Sequence, residues 1–132
     1  MTRPPGDRLF FLRNSVEIER VKRDGHRLQT PLFNLVSCPA KSLATQPTRI
    51  GVIVGKRLGA AVARNRAKRI FRELARHCRP QLVAGHDVLI FPRREALKVR
   101  HAQLRDAWVE ALRRKQLLKP ESDLLCDASV SV

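Results

Sequence analysis

The residues of this sequence that could do chemistry are basic. Lys and Arg outnumber Asp and Glu by 27 to 12, which gives a formal net charge of +15. This balance indicates a polyanionic partner, with nucleic acid as the first candidate and an anionic membrane surface as the second. No apolar run approaches the roughly 20 residues that a membrane span needs. The side chains that we expect to bind a polyanion are Lys56, Arg57, Arg64, Asn65, Arg66, Lys68, Arg69, Arg72 and Arg76.

Groups for catalysis are scarce by comparison. The histidines show no metal-ligand spacing with one another or with cysteine; they are His26, His77, His86 and His101. Glu17 and Glu19 have the positions of a capping and a surface carboxylate. The stretch GKRLG lacks the ending of a phosphate-binding nucleotide loop. The sequence therefore predicts no catalytic residue and no metal site in the protein itself.

A strand, a glycine-containing loop and a helix must position the basic residues. β-Branched residues alternate over residues 49–54, which predicts a strand. Gly55 and Gly59 permit a tight bend after it. Helical spacing follows, with an apolar stripe of Ala63, Ala67, Ile70, Phe71, Leu74 and Cys78. Basic residues four positions apart on the other side repel one another, and a bound polyanion would remove that repulsion.

The segments before this unit predict a helix and an extended stretch. Asn14 caps the first helix, Glu17 reaches back to it as a capping box, and Gly25 ends the helix. Pro31 divides the extended stretch, so that a short strand precedes the main strand over residues 32–37. Because consecutive strands usually neighbour each other, we expect strand 32–37 to pair antiparallel with strand 49–54.

The segments after it complete the predicted sheet. A buried strand over residues 86–91 should lie parallel to strand 49–54, since a helix connects them in a βαβ unit. A third helix over residues 99–115 carries Trp108, which we interpret as a core residue rather than a base-stacking one. We predict a flexible arm over residues 1–8, one domain over 9–118 and a mobile tail over 119–132. The three widely spaced cysteines and the lack of an export signal indicate the cytoplasm.

The stretch GKRLGAAVARNRAKRIFREL resembles the signature of the bacterial ribonuclease P protein subunit. That signature has a basic pair, a glycine, an Ala-Val step, Arg-Asn-Arg, a Lys-Arg pair and a further Arg. The matching residues are Lys56, Arg57, Gly59, Ala61, Val62, Arg64, Asn65, Arg66, Lys68, Arg69 and Arg72. The resemblance extends over about residues 12–118.

The resemblance implies a fold and a function. The fold is α/β, as an α+β sandwich: a single domain with a mixed sheet of about four strands, three helices and a left-handed βαβ crossover, like domain 2 of ribosomal protein S5. The function is that of a ribonucleoprotein endoribonuclease, which removes the 5′ leader from precursor tRNA. Its catalyst is an RNA subunit that uses Mg²⁺. The implied partners are this catalytic RNA and precursor tRNA, with no membrane.

The resemblance also implies a cleft between the first helix and the sheet that holds the single-stranded leader. We assign to it Arg13, Ile18, Lys22, Phe33 and Leu35. Family members line the cleft with several aromatic residues, whereas this chain has Ile18 and Lys22 at two of those positions, Val36 at a third, and no tyrosine. Phe33 has a second interpretation, as an ordinary core residue.

Two other functions compete with this one. A ribosomal or ribosome-assembly protein could use the same basic helix on rRNA without any enzyme activity. A helix-turn-helix DNA regulator fits less well, because no second helix lies a short turn from the basic one. The RNA that co-purifies with the protein separates the first two possibilities.

Overall fold

The computed structural model describes residues 10–39 and 47–119. In chain order the elements are α1 (Ser15–Asp24), β1 (His26–Gln29), β2 (Phe33–Pro39), β3 (Arg49–Val52), α2 (Ala61–Cys78), β4 (His86–Pro92) and α3 (His101–Arg114). The three helices and the four-stranded mixed sheet confirm the predicted fold class. The arm predicted over residues 1–8 and all but the first residue of the predicted tail lie outside the described residues. No helix in the described part has both the length and the hydropathy of a membrane span.

The first helix begins as predicted and differs in one contact. The Asn14 side chain accepts hydrogen bonds from the backbone N–H groups of Val16 and Glu17, at 2.9 and 3.3 Å. The predicted return contact of a capping box is wrong, because both carboxylate oxygens of Glu17 accept hydrogen bonds from Arg49 instead. Gly25 ends the helix, and a Cβ there would lie 2.5 Å from the Val21 carbonyl oxygen.

The order of strands in the sheet is β1-β2-β4-β3. The predicted pairing of the second and third strands is therefore wrong: β4 lies between them, antiparallel to β2 and parallel to β3. The extent of the β2–β4 pairing accounts for this order, since β2 pairs with β4 along its whole length, from Phe33↔Pro92 to Pro39↔His86. The parallel β3–α2–β4 unit is confirmed, and the left-handed sense of its crossover stays a prediction.

One face of the sheet is covered by α2 and α3. Phe33 and Leu35 of β2 are completely buried there, together with Val88 and Ile90 of β4. The Trp108 ring lies 5.9 Å from the ring of Phe33, and its side chain is 1% exposed. Trp108 is thus a core residue, as predicted.

The other face is covered by α1 over part of its length. Val21 of α1 packs with Val36, Cys38 and Leu89 of the sheet. Ile18, Ile53 and Phe91 are partly buried at the margin of this second cluster. The helix thus leaves part of this face accessible.

Candidate nucleic-acid interface

The basic side of α2 forms an open groove. Five of the predicted side chains line a volume of about 280 Å³: Asn65, Lys68, Arg69, Arg72 and Arg76. The opposite side of the helix is held in the core by Ala67, Phe71 and Leu74. Because the buried stripe fixes the rotation of the helix, the basic residues lie together on its outer side. The structure thus brings together most of the predicted nucleic-acid-binding set.

The other predicted residues flank this groove along the chain. Lys56 and Arg57 are exposed on a 3-10 turn, Lys56–Leu58, which leads from β3 towards α2. The turn closes at Gly59, whose φ of 140° strongly favours glycine. Within α2, Arg66 is exposed and Arg64 is half-buried.

Two aromatic residues that the sequence analysis did not single out contact arginines in α2 and directly after it. The Phe11 ring lies under the guanidinium carbons of Arg72 and Arg76, at 5.8 and 5.3 Å from the ring centroid. The guanidinium carbon of Arg79 lies over the Phe10 ring, 4.8 Å from the ring centroid. Arg76 also pairs with Glu73 at 2.8 Å. These contacts offset part of the like-charge repulsion that the sequence predicts for this face.

Three of the five residues assigned to the leader cleft lie at or near α1. Ile18 is partly buried against the cluster beneath the helix, and Arg13 is exposed just before the cap. Lys22 is half-buried and pairs with Glu19 at 3.3 Å. These three positions are compatible with a cleft between α1 and the sheet.

Phe33 and Leu35 do not belong to that cleft. Both side chains are 0% exposed and face α2 and α3, on the opposite side of the sheet from α1. Because side chains alternate along a strand, Val36 faces α1 and Phe33 cannot share that face with it. The assignment of Phe33 and Leu35 to the leader cleft is therefore wrong, and the alternative interpretation of Phe33 as a core residue is confirmed.

The aromatic residue on the α1 face of the sheet is Phe91. It is half-buried, packs at the margin of the cluster under α1, and pairs across the strands with Asn34. The Asn34 side-chain oxygen is buried without a hydrogen-bond partner. Because side chains alternate along a strand, Phe91 shares a face with Leu89. The apolar run of residues 86–91 predicts a buried strand and does not indicate which of its faces α1 covers.

An ionic cluster fastens α1 to the sheet. The Asp87 carboxylate, with its side chain 1% exposed, accepts from Arg20 at 2.7 Å and from Arg49 at 3.1 Å. Arg49 also donates to Glu17 at 2.9 Å. Burial acts to lower the pKa of the Arg49 guanidinium, but its hydrogen bonds to Glu17 and Asp87 outweigh burial and raise the pKa. Nearby, burial raises the pKa of the Cys38 thiol above its ordinary value.

A family model for ribonuclease P matches residues 7–116 of this sequence. The chain belongs to the ribonuclease P protein family. The ribonuclease P protein component of Chloroflexus aurantiacus is 35% identical over 112 residues, which cover 84% of this chain and 81% of that protein. The component from a Roseiflexus species is 34% identical over 113 residues, covering 85% of this chain and 90% of that protein.

Solved structures of ribonuclease P proteins have the same fold. The Staphylococcus aureus protein has a TM-score of 0.74 at 24% identity, covering 83% of this chain and 98% of its own. The Thermotoga maritima protein has a TM-score of 0.69 at 24% identity, covering 79% of this chain and 96% of its own.

Membership of the ribonuclease P family confirms the predicted role as a subunit that functions in tRNA processing. It also confirms the prediction that the protein binds RNA. Neither the relatives nor the structures favour the ribosomal alternative. Within residues 10–39 and 47–119, no three His, Cys, Asp or Glu side chains form a group that could hold a metal ion.

Proposed function

We propose that this chain docks through the basic face of α2 onto the catalytic RNA of ribonuclease P, and that it holds the 5′ leader of precursor tRNA between α1 and the sheet. The observation that carries the proposal is the groove of Asn65, Lys68, Arg69, Arg72 and Arg76. Within α2 the acidic residue is Glu73, and it already pairs with Arg76. Phosphates are the anions that such a face can neutralise along its whole length.

The proposal assigns cleavage to the RNA subunit. Mg²⁺ bound there would activate the attacking water and stabilise the leaving oxygen. Phosphate oxygens and water are ligands that Mg²⁺ prefers, and an RNA provides many of them. The protein contributes affinity and position. The cytoplasm is the proposed compartment, and the cysteines Cys38 and Cys78 are both buried.

The proposed leader site keeps Arg13, Ile18 and Lys22 and adds two residues from the sheet. Phe91 offers part of a ring to a base, and Asn34 lies beside it on the neighbouring strand. Stacking of a base on an aromatic side chain is worth roughly 1–3 kcal/mol, and it is tolerant of sequence. A flexible leader with unpaired bases fits this partly covered surface better than a duplex does.

The docking half of the proposal is tested with the RNA subunit as titrant. Neutralising about six to ten phosphates gives a slope near −6 or steeper when log affinity is plotted against log salt concentration. Arg69→Ala should weaken assembly by about 1–3 kcal/mol, the scale of a charge-assisted hydrogen bond. Arg114→Ala, which removes an exposed arginine from α3, is the matched control. A slope shallower than about −2 would mean that the α2 face is mainly solvated.

The leader half is tested by titrating the assembled particle with precursor tRNA and with mature tRNA. Phe91→Leu should leave assembly unchanged and reduce the preference for precursor by roughly 1–3 kcal/mol, because the lost stacking partner faces the leader. Arg69→Ala should affect both tRNAs equally. Phe33→Leu is the control on the opposite face of the same sheet. If Phe91→Leu leaves the preference intact while Lys22→Ala abolishes it, the leader lies along α1 and away from Phe91.

A further inference from the structure

Phe10 and Phe11 form an aromatic step beneath the C-terminal half of α2. Their rings lie 4.8 Å apart with an interplanar angle of 62°, an edge-to-face arrangement. The backbone beside them is tied to the edge of the sheet, through a parallel bridge of Phe11 with Ile50 and a hydrogen bond of 2.9 Å from the Leu12 N–H to the Ile50 carbonyl. The backbone of this step is thus held by the edge strand of the sheet.

Three arginines lie over these two rings. Arg72 and Arg76 both lie over the ring of Phe11, and Arg79 lies over the ring of Phe10. Phe11 is 5% exposed and Phe10 is 2% exposed, so little of either ring meets solvent. By contrast, Arg66 and Arg69 are exposed in the preceding turns of the same helix. The basic face thus has one part supported by aromatic rings and one part that extends into solvent.

We propose that Phe11 is a positioning residue, which holds Arg72 and Arg76 in the orientation that binds the phosphates of the RNA subunit. This inference rests on the proposed docking of α2 onto that RNA. A guanidinium group is attracted to the face of an aromatic ring, while the N–H donors of the guanidinium group lie in the plane of that group. The ring can therefore restrict an arginine without using up the donors that phosphate oxygens need.

The advantage of such a ring is entropic. A long side chain that is mobile before binding loses its rotamer freedom when it is fixed against a phosphate. Arg72 and Arg76 are one helical turn apart, and without the ring their like charges would drive the two side chains apart. Phe11 restricts both side chains in the free protein, in addition to the ion pair of Arg76 with Glu73, so less freedom is lost when the RNA binds.

The first test replaces Phe11 by leucine, which keeps an apolar side chain in the buried position. Affinity for a transcript of the ribonuclease P RNA should fall roughly three- to thirtyfold, the effect of ordering one or two long side chains on binding. The dependence of affinity on salt should keep its slope to within about one unit, because every charge is still present. Phe11→Tyr, which restores a ring face, should return the affinity towards that of the original protein.

Binding is measured well below the unfolding midpoint of each variant, so a loss of stability alone does not change the affinity. A folded Phe11→Leu protein with unchanged affinity would overturn the inference. So would a loss of affinity that comes with a much shallower salt slope, because that result would mean that charges have left the interface.

A second test does not alter the core. The double variant Arg72→Lys with Arg76→Lys keeps both charges and removes both guanidinium groups from the ring; Arg66→Lys with Arg69→Lys makes the same change where the arginines are exposed. The first pair should lose at least about fivefold more affinity than the second, because lysine is not equivalent to arginine at a stacked site. Adding Phe11→Leu to the first pair should cost less than about twofold more, since the interacting partners are already gone.

Equal losses in the two lysine pairs, or full additivity with Phe11→Leu, would overturn the inference. The proposed docking of α2 onto the RNA is tested by a separate pair of variants. If Arg66→Ala and Arg69→Ala leave the affinity for the RNA unchanged, α2 is not the docking helix and the role of Phe11 falls with it. If those variants weaken binding while Phe11→Leu does not, the docking face stands and the positioning role alone is wrong.

Discussion

The two faces of the sheet use the same strands for different purposes. On one face Phe33, Phe71 and Trp108 form a cluster of rings with centroids 5.5 to 6.1 Å apart, closed off by α2 and α3. On the other face α1 covers Val36 and Leu89 and leaves Phe91 half-buried. Neighbouring residues of β2 thus belong to the closed face or to the partly covered face according to the direction in which each one points. The number of aromatic residues in a strand therefore does not indicate whether they stabilise the core or are accessible, until it is known which face of the sheet the helices cover.

The largest effect should come from the closed face. Phe33→Ala removes a fully buried ring and should lower the free energy of unfolding by about 3–5 kcal/mol, measured by denaturant titration. Phe91→Ala is the matched change on the other face and should cost clearly less, because its ring is partly exposed. Equal costs would mean that the two faces are packed alike.

A smaller effect should come from the ionic cluster that joins α1 to the open face. Asp87→Asn leaves Arg20 and Arg49 facing each other without the carboxylate between them. Breaking a fully buried ion pair costs about 3–5 kcal/mol, and we expect roughly 2–3 here because both arginines are partly exposed. Glu17→Gln alters the more exposed end of the cluster and should cost under about 1 kcal/mol. Chemical denaturation of both variants checks this order.

The smallest effect concerns pH and Cys38, on the α1 face. Burial raises the pKa of this thiol, so the folded state favours its neutral form. That contribution to stability is complete below the pKa of the unfolded thiol, about 8.5, and is lost as the pH rises through the folded pKa. The stability of the protein relative to Cys38→Ala should therefore decrease above about pH 8.5. A difference that stays constant up to pH 10 would contradict the shift.

Local signals predicted the parts of this fold that local chemistry determines. The Asn14 cap, the apolar stripe of α2 and the parallel strands around it follow from spacing along the chain. The position of β4 between β2 and β3 does not, because strand order depends on contacts between distant segments. The choice of Arg49 as the partner of Glu17, instead of the helix cap, depends on the same distant packing.

The binding surfaces divide in the same way. The basic face of α2 could be predicted because one helix carries nearly all of it. The proposed leader cleft lies between α1 and two strands, so an error about which face of β2 lies under α1 exchanges Phe33 and Leu35 for Asn34 and Phe91. Phe10 and Phe11 stand in a short apolar run near the start of the sequence, and nothing in that run indicates the arginines of α2.

The central place of β4 has a consequence for the order of events on the ribosome. β2 and β3 have no pairing with each other in this sheet and are joined through β4, which is translated after α2. While β4 is still inside the exit tunnel, the nascent chain can form the β1–β2 hairpin but cannot complete the sheet on which α2 packs. The basic segment that becomes α2 therefore leaves the ribosome before the complete sheet on which it packs has formed. At that moment it is close to the RNA of the ribosome itself.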